Sequence, residues 1–140
     1  LHETRLRLGA RLVTLGAQAE LVPGVAKPEW LFGASQNHGM PDIPPTFVCR
    51  RLGLNDHGAS PSDRPAVLIA GHLDTVHDPT GPFTELSIAP DGKTAVGPGR
   101  VDMKGGLVIA IADLEALGQV GGAAVTIPWT VLLNSDEETC

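Results

Sequence analysis

An α/β fold with a central mixed sheet flanked by helices is the class this sequence predicts, on three observations. Runs of branched apolar residues, Val67-Leu68-Ile69-Ala70 and Trp129-Thr130-Val131-Leu132-Leu133, have the make-up of short buried strands. Segments of helical spacing, residues 3–16 and 105–117, alternate with them, as in a layered α/β domain. Both strands end abruptly in polar residues, and in open α/β sheets ligands collect beyond the carboxyl ends of strands.

With 140 residues the chain can build one domain with a real core and not two. An apolar fraction of 42% suits a globular protein, and no apolar run reaches the roughly 20 residues of a membrane span. The net charge of −6, with no basic cluster, argues against nucleic acid or an anionic membrane surface as the main partner. Two cysteines, Cys49 and Cys140, make no disulfide framework, so a reducing, cytoplasmic compartment is the expectation. The chain begins with Leu1 and stops at Cys140 just after a core strand, which reads as part of a longer protein.

Taken in order, Leu8, Leu12 and Leu15 mark one face of a first helix, with Arg5, Arg7 and Arg11 on other faces and Gly16 as its stop. Residues 19–22 form a short strand ended by Pro23-Gly24. The proline-rich stretch to residue 45 is a long loop, plugged by Trp30-Leu31-Phe32, with His38 and Asp42 as surface residues. Residues 46–52 form a strand in which Cys49 is a buried thiol, and residues 53–65, with His57, form a polar loop. The Val67 strand follows, then a loop at His77–Pro82, a strand over 83–89, and a tight turn at Asp91-Gly92. Residues 97–106, GPGRVDMKGG, open a helix buried through Leu107, Ile111, Leu114 and Leu117. Residues 125–133 form the last strand, placed at an edge or a bulge by Pro128.

The chemistry-bearing residues fall at three places. His72 and Asp74 follow the Val67 strand, and residues i and i+2 of an extended chain face one side. A carboxylate on one ring nitrogen fixes the tautomer of a metal-ligating imidazole, although a lone His-x-Asp serves a structural histidine as readily. Asp102 lies at a helix start, whose free N–H groups and dipole favour a carboxylate. Close helix packing is the plainer reading of Gly105-Gly106, and neither phosphate-loop pattern is present. Glu137 and Glu138 follow the last strand; three acids in a row are often only a solvated face, but these stand where the histidine can meet them. Carboxylates gathered at one point repel unless cations sit between them. A metal pair about 3.5–4 Å apart removes that cost and activates a water, and a non-ligand glutamate can take its proton. Mixed His and carboxylate ligands suit zinc, with cobalt or manganese as substitutes.

The segments GHLDTV (71–76), GPGRVDMKGG (97–106) and LLNSDEE (132–138) resemble the motifs of a metallopeptidase family. That family includes glutamate carboxypeptidase, acetylornithine deacetylase, succinyl-diaminopimelate desuccinylase and aminoacylase. The order and separation of the three motifs carry the resemblance, and the wording around them looks closest to the glutamate carboxypeptidase branch. The resemblance implies that His72 binds one zinc, Glu138 the other, and Asp102 bridges both. It makes Glu137 the general base and Asp74 the orienter of His72, and it implies a cis peptide after Asp102. It further implies that residues 1–140 are the N-terminal part of a catalytic domain truncated at its C-terminus, with a dimerisation domain, a further acidic ligand and a late histidine outside them. On this view the 140-residue chain alone is inactive and holds zinc poorly. The implied substrate is a small peptide or an N-acyl amino acid, and the implied full-length assembly is a homodimer. One departure is Cys140, where the family commonly has glycine.

The resemblance therefore implies a hydrolase that cuts an amide beside a free carboxylate. A second reading is a non-catalytic or regulatory metal-binding descendant of the same fold; the intact Glu137 speaks against it. A third, a phosphatase-type Asp-x-Asp loop at residues 72–76, fails because His72 stands where the nucleophilic acid must be.

Overall fold

The structure, a computed structural model, describes residues 2–25, 44–53, 66–121 and 127–138. Its elements run α1 (His2–Thr14), β1 (Gln18–Val22), β2 (Thr46–Arg51), β3 (Val67–His72), β4 (Ser87–Ile88), β5 (Ala95–Val96), α2 (Gly105–Val120) and β6 (Trp129–Asn134). The main sheet has the order β1-β2-β6-β3. β1 with β2 and β2 with β6 are antiparallel, whereas β3 and β6 are parallel, so the sheet is mixed. The parallel pair matters most, because its register sets His72 beside Asn134 and brings two carboxyl ends together.

The core follows from alternation on β6. Trp129, Val131 and Leu133 are buried, while Thr130, Leu132 and Asn134 are half-buried on the other side. The buried set meets Leu8 and Leu12 of α1, Cys49 of β2, and Leu107, Ile111 and Leu114 of α2. Both helices therefore pack on one face of the sheet. α1 approaches β2 closely because it carries Gly9: a β-carbon there would lie 2.6 Å from Cζ of Phe47. Between the helices Arg11 forms a two-pronged ion pair with Glu115, Nε to Oε1 and Nη2 to Oε2, both at 2.7 Å. Those hydrogen bonds hold Glu115 below the ordinary carboxylate range and raise Arg11. Cys49 is fully buried, and burial pushes its thiol up to about 11, as befits a packing residue.

Three expectations are corrected. The stretch 83–89 is not one strand: only Ser87–Ile88 pairs, with Ala95–Val96, around the turn at Asp91-Gly92. Its alternating residues Leu86 and Ile88 are both 61% exposed, so no apolar face stabilises a longer strand. Pro128 does not mark an edge or a bulge. The last strand starts after it, lies between β2 and β3, and leaves the Pro128 carbonyl to accept the Val67 N–H. Leu117 is 47% exposed, because the helical step of four from Leu114 lands on Gly118, beside Leu15.

Residues 26–43, with Trp30, Leu31, Phe32, His38 and Asp42, lie outside the described residues, as do 54–65 with His57, and Cys140. No helix of the described residues is long and apolar enough to cross a membrane.

Candidate metal centre

The site grows from the end of β3. Leu73 is fully buried in the core, and its N–H donates to the Asn134 carbonyl at 2.8 Å, extending the parallel ladder by one residue. With Leu73 turned inward, His72 and Asp74 share the opposite side, as their spacing predicts. Both are buried, at 6% and 7% exposure. His72 Nδ1 and Asp74 Oδ1 stand 3.4 Å apart and, within the structure, neither atom has a hydrogen-bond partner. The pair is close but not aligned.

Asp74 also does something the sequence did not announce. Its Oδ2 accepts the backbone N–H of Glu138 at 2.8 Å, tying the segment after β3 to the segment after β6. Ser135 supports that second segment: its N–H donates to Asn134 Oδ1 at 2.8 Å and its hydroxyl to the Pro45 carbonyl at 3.4 Å.

The third contribution comes from a kinked segment, Arg100–Lys104, in front of α2. The Asp102–Met103 peptide is cis, as the resemblance implies. Asp102 Oδ1 lies 3.1 Å from His72 Nε2, and the Met103 sulfur accepts the His72 backbone N–H at 3.2 Å. Asp102 stands before α2 without capping it, since the first turn has no side-chain cap, and reaches the imidazole. The segment folds back at Gly99, whose φ of +67° is left-handed and whose α-carbon lies under Thr75 and the Lys104 ammonium. Lys104 is half-buried, and burial lowers its pKa although Asp74 and Glu138 act to raise it. From the sequence Lys104 and Met103 are only part of a helix start, because the spacing of that segment shows no partner.

Around Nε2 of His72 the acids gather. Asp102 is at 3.1 Å and Glu137 Oε2 at 4.0 Å. His72, Glu137 and Glu138 can each offer one ligand atom within 4.8 Å of one another. Residues 135–138 are bent rather than extended, so the two adjacent glutamates both reach this region. Burial would push the His72 pKa down; the Asp102 hydrogen bond and the charges of Asp74, Glu137 and Asp102 outweigh it and raise the pKa. The acids thus favour a cation at this point. The carboxylates on the open side of the ring, at Nε2, suit a divalent ion. Beside the centre lies a cavity of about 370 Å³, lined among others by His77, Phe83, Val96, Arg100, Asp102 and Glu138. The His77 and Phe83 rings meet edge to face, with centroids 4.8 Å apart.

Comparison with known proteins bears on the family and the fold. The profile of peptidase family M20/M25/M40 matches residues 68–140, just over half of the chain and all three motifs. A succinyl-diaminopimelate desuccinylase of Delftia acidovorans is 36% identical over 102 residues, covering 68% of this chain and 25% of that protein. The solved structure of the di-peptidase Dug1p from Saccharomyces cerevisiae superposes with a TM-score of 0.61 at 22% identity, over 94% of this chain and 26% of that one. At that identity the superposition speaks for the fold. The chain spans about a quarter of the length of these relatives. By motif, register and profile, the chain belongs to peptidase family M20/M25/M40.

Proposed function

We propose that the full-length protein carrying this chain is a metal-dependent hydrolase. It cleaves a peptide or N-acyl amide bond beside a free carboxylate, in the manner of a carboxypeptidase or an N-acyl-amino-acid deacylase. The observation that carries this reading is the buried His72 imidazole facing Asp102 at 3.1 Å and Glu137 at 4.0 Å, with Glu138 in ligand range. The relatives' names, a desuccinylase and a di-peptidase, fit the same reaction class.

In this reading His72 and Glu138 would each hold one zinc ion, with Asp102 shared between them and cobalt or manganese as substitutes. Such ions supply polarisation of the scissile carbonyl and a water acidic enough to ionise near neutral pH. Asp74 would accept a hydrogen bond from the Nδ1–H of His72, which leaves Nε2 free to act as ligand. Its second oxygen keeps the Glu138 backbone in place. Glu137 takes the proton of the attacking water on its carboxylate and returns it to the departing nitrogen. The partners are one small peptide or N-acyl amino acid and a second copy of the full-length protein.

The test is metal analysis of the full-length protein together with turnover of N-acyl amino acids and dipeptides, before and after chelation. Zinc-dependent cleavage is expected. Turnover that survives complete metal removal, or no cleavage of any amide with zinc restored, overturns the reading.

A further inference from the structure

We infer that Arg100 is a specificity-determining residue, binding a carboxylate of the substrate in the cavity beside the metal centre; this rests on the amide-hydrolase reading above. Arg100 lies on the wall of the 370 Å³ cavity together with Asp102 and Glu138, and no other Lys or Arg of the described residues lines it. Much of the remaining wall is apolar, with Val76, Phe83 and Val96. Among the described residues Arg100 is thus the one Lys or Arg on that wall.

Its root is fixed and its head is exposed. The Arg100 N–H donates to the Gly97 carbonyl at 3.4 Å, and its own carbonyl accepts the Gly105 N–H. The residue is exposed, and among the described residues it takes part in none of the ion pairs that engage Arg7, Arg11 and Arg50. Lys104, the other cation of the segment, is folded in towards Asp74 and Glu138 and does not line the cavity. An exposed planar fork of donors beside the reaction centre matches a carboxylate bidentately, which an ammonium cannot do. That carboxylate has two chemical sources: the leaving amino acid, or a dicarboxylic acyl group.

The experiment uses the full-length, zinc-loaded protein and its R100M and R100K variants. Each substrate is paired with a neutral analogue, the leaving-group carboxylate as its amide in one arm and succinyl replaced by butyryl in the other. In R100M the ratio of charged to neutral kcat/KM falls about 10–100-fold in one arm, which names the source, with R100K in between. An unchanged ratio in both arms overturns the inference. If the wild type cleaves no amide, the hydrolase reading fails, and calorimetry with glutamate and succinate decides for Arg100 on its own. A dissociation constant at least 10-fold weaker in R100M for either acid sustains the inference, and equal constants for both overturn it.

Discussion

Asp74→Asn probes the centre with little change in volume. The side chain is 7% exposed, with Oδ2 on the Glu138 N–H at 2.8 Å and Oδ1 facing His72 Nδ1 at 3.4 Å. An amide has one acceptor oxygen and one donor nitrogen for these two jobs. If the oxygen keeps the Glu138 N–H, the amide nitrogen faces Nδ1 and can only donate to it. His72 then carries its proton on Nε2, the nitrogen aimed at Asp102 and required by a metal. The opposite rotamer sets two donors against each other beside Glu138, at a cost of about 1–3 kcal/mol for the orphaned groups. The first rotamer therefore wins, and the loss falls on the metal. Replacing such a supporting carboxylate typically weakens metal affinity or activity by about 10–100-fold. Asp74→Ala adds a second effect, since the Glu138 N–H then loses a charged acceptor worth about 1.5–3 kcal/mol. Zinc competition against a chromophoric chelator, with thermal unfolding of the metal-free protein, separates affinity from stability. Zinc binding and kcat unchanged in Asp74→Asn would leave Asp74 as a mere acceptor for the Glu138 backbone and refute the reasoning.

Other perturbations divide the site and the scaffold. Glu137→Gln should keep bound zinc and lose about 10²–10⁴-fold in kcat, whereas Glu138→Gln should first lose zinc and regain activity in excess metal; zinc content against kcat shows whether the roles are reversed. Gly9→Val should destabilise the fold by about 1–3 kcal/mol, because its side chain enters the space of the Phe47 ring; urea denaturation reads the shift. Glu115 titrates lower when folded, so its pairing with Arg11 stabilises above the unfolded glutamate value of about 4.3 and fades as pH falls through the folded one. Glu115→Gln should accordingly be less stable than the parent at neutral pH, with the gap closing in acid; a gap independent of pH in denaturation midpoints refutes the assignment.

How far the sequence carried depends on whether a feature is local. Period-two spacing sufficed to put His72 and Asp74 on one side at the end of β3, and the apolar make-up of residues 129–133 to mark a core strand. The motif order carried the family, and the strand ends carried the place where the acids meet. What local spacing cannot carry is the identity of a partner. The Glu138 N–H on Asp74, the Met103 sulfur on the His72 N–H and the Arg11–Glu115 fork join residues 64, 31 and 104 positions apart. The failure over 83–89 has the same origin: alternation predicts a face, yet a strand also needs a neighbour, and only two of those residues have one. Asp74 shows why this matters for function. Read as half of a His-x-Asp pair, it is an orienter of one ligand. Once its other oxygen is seen on Glu138, the same carboxylate fixes the relative position of the segments that carry His72 and Glu138, which the parallel register of β3 and β6 brings within reach. The centre is therefore a property of the sheet's strand order, and a substitution that shifts β3 against β6 should disable it as surely as loss of a ligand.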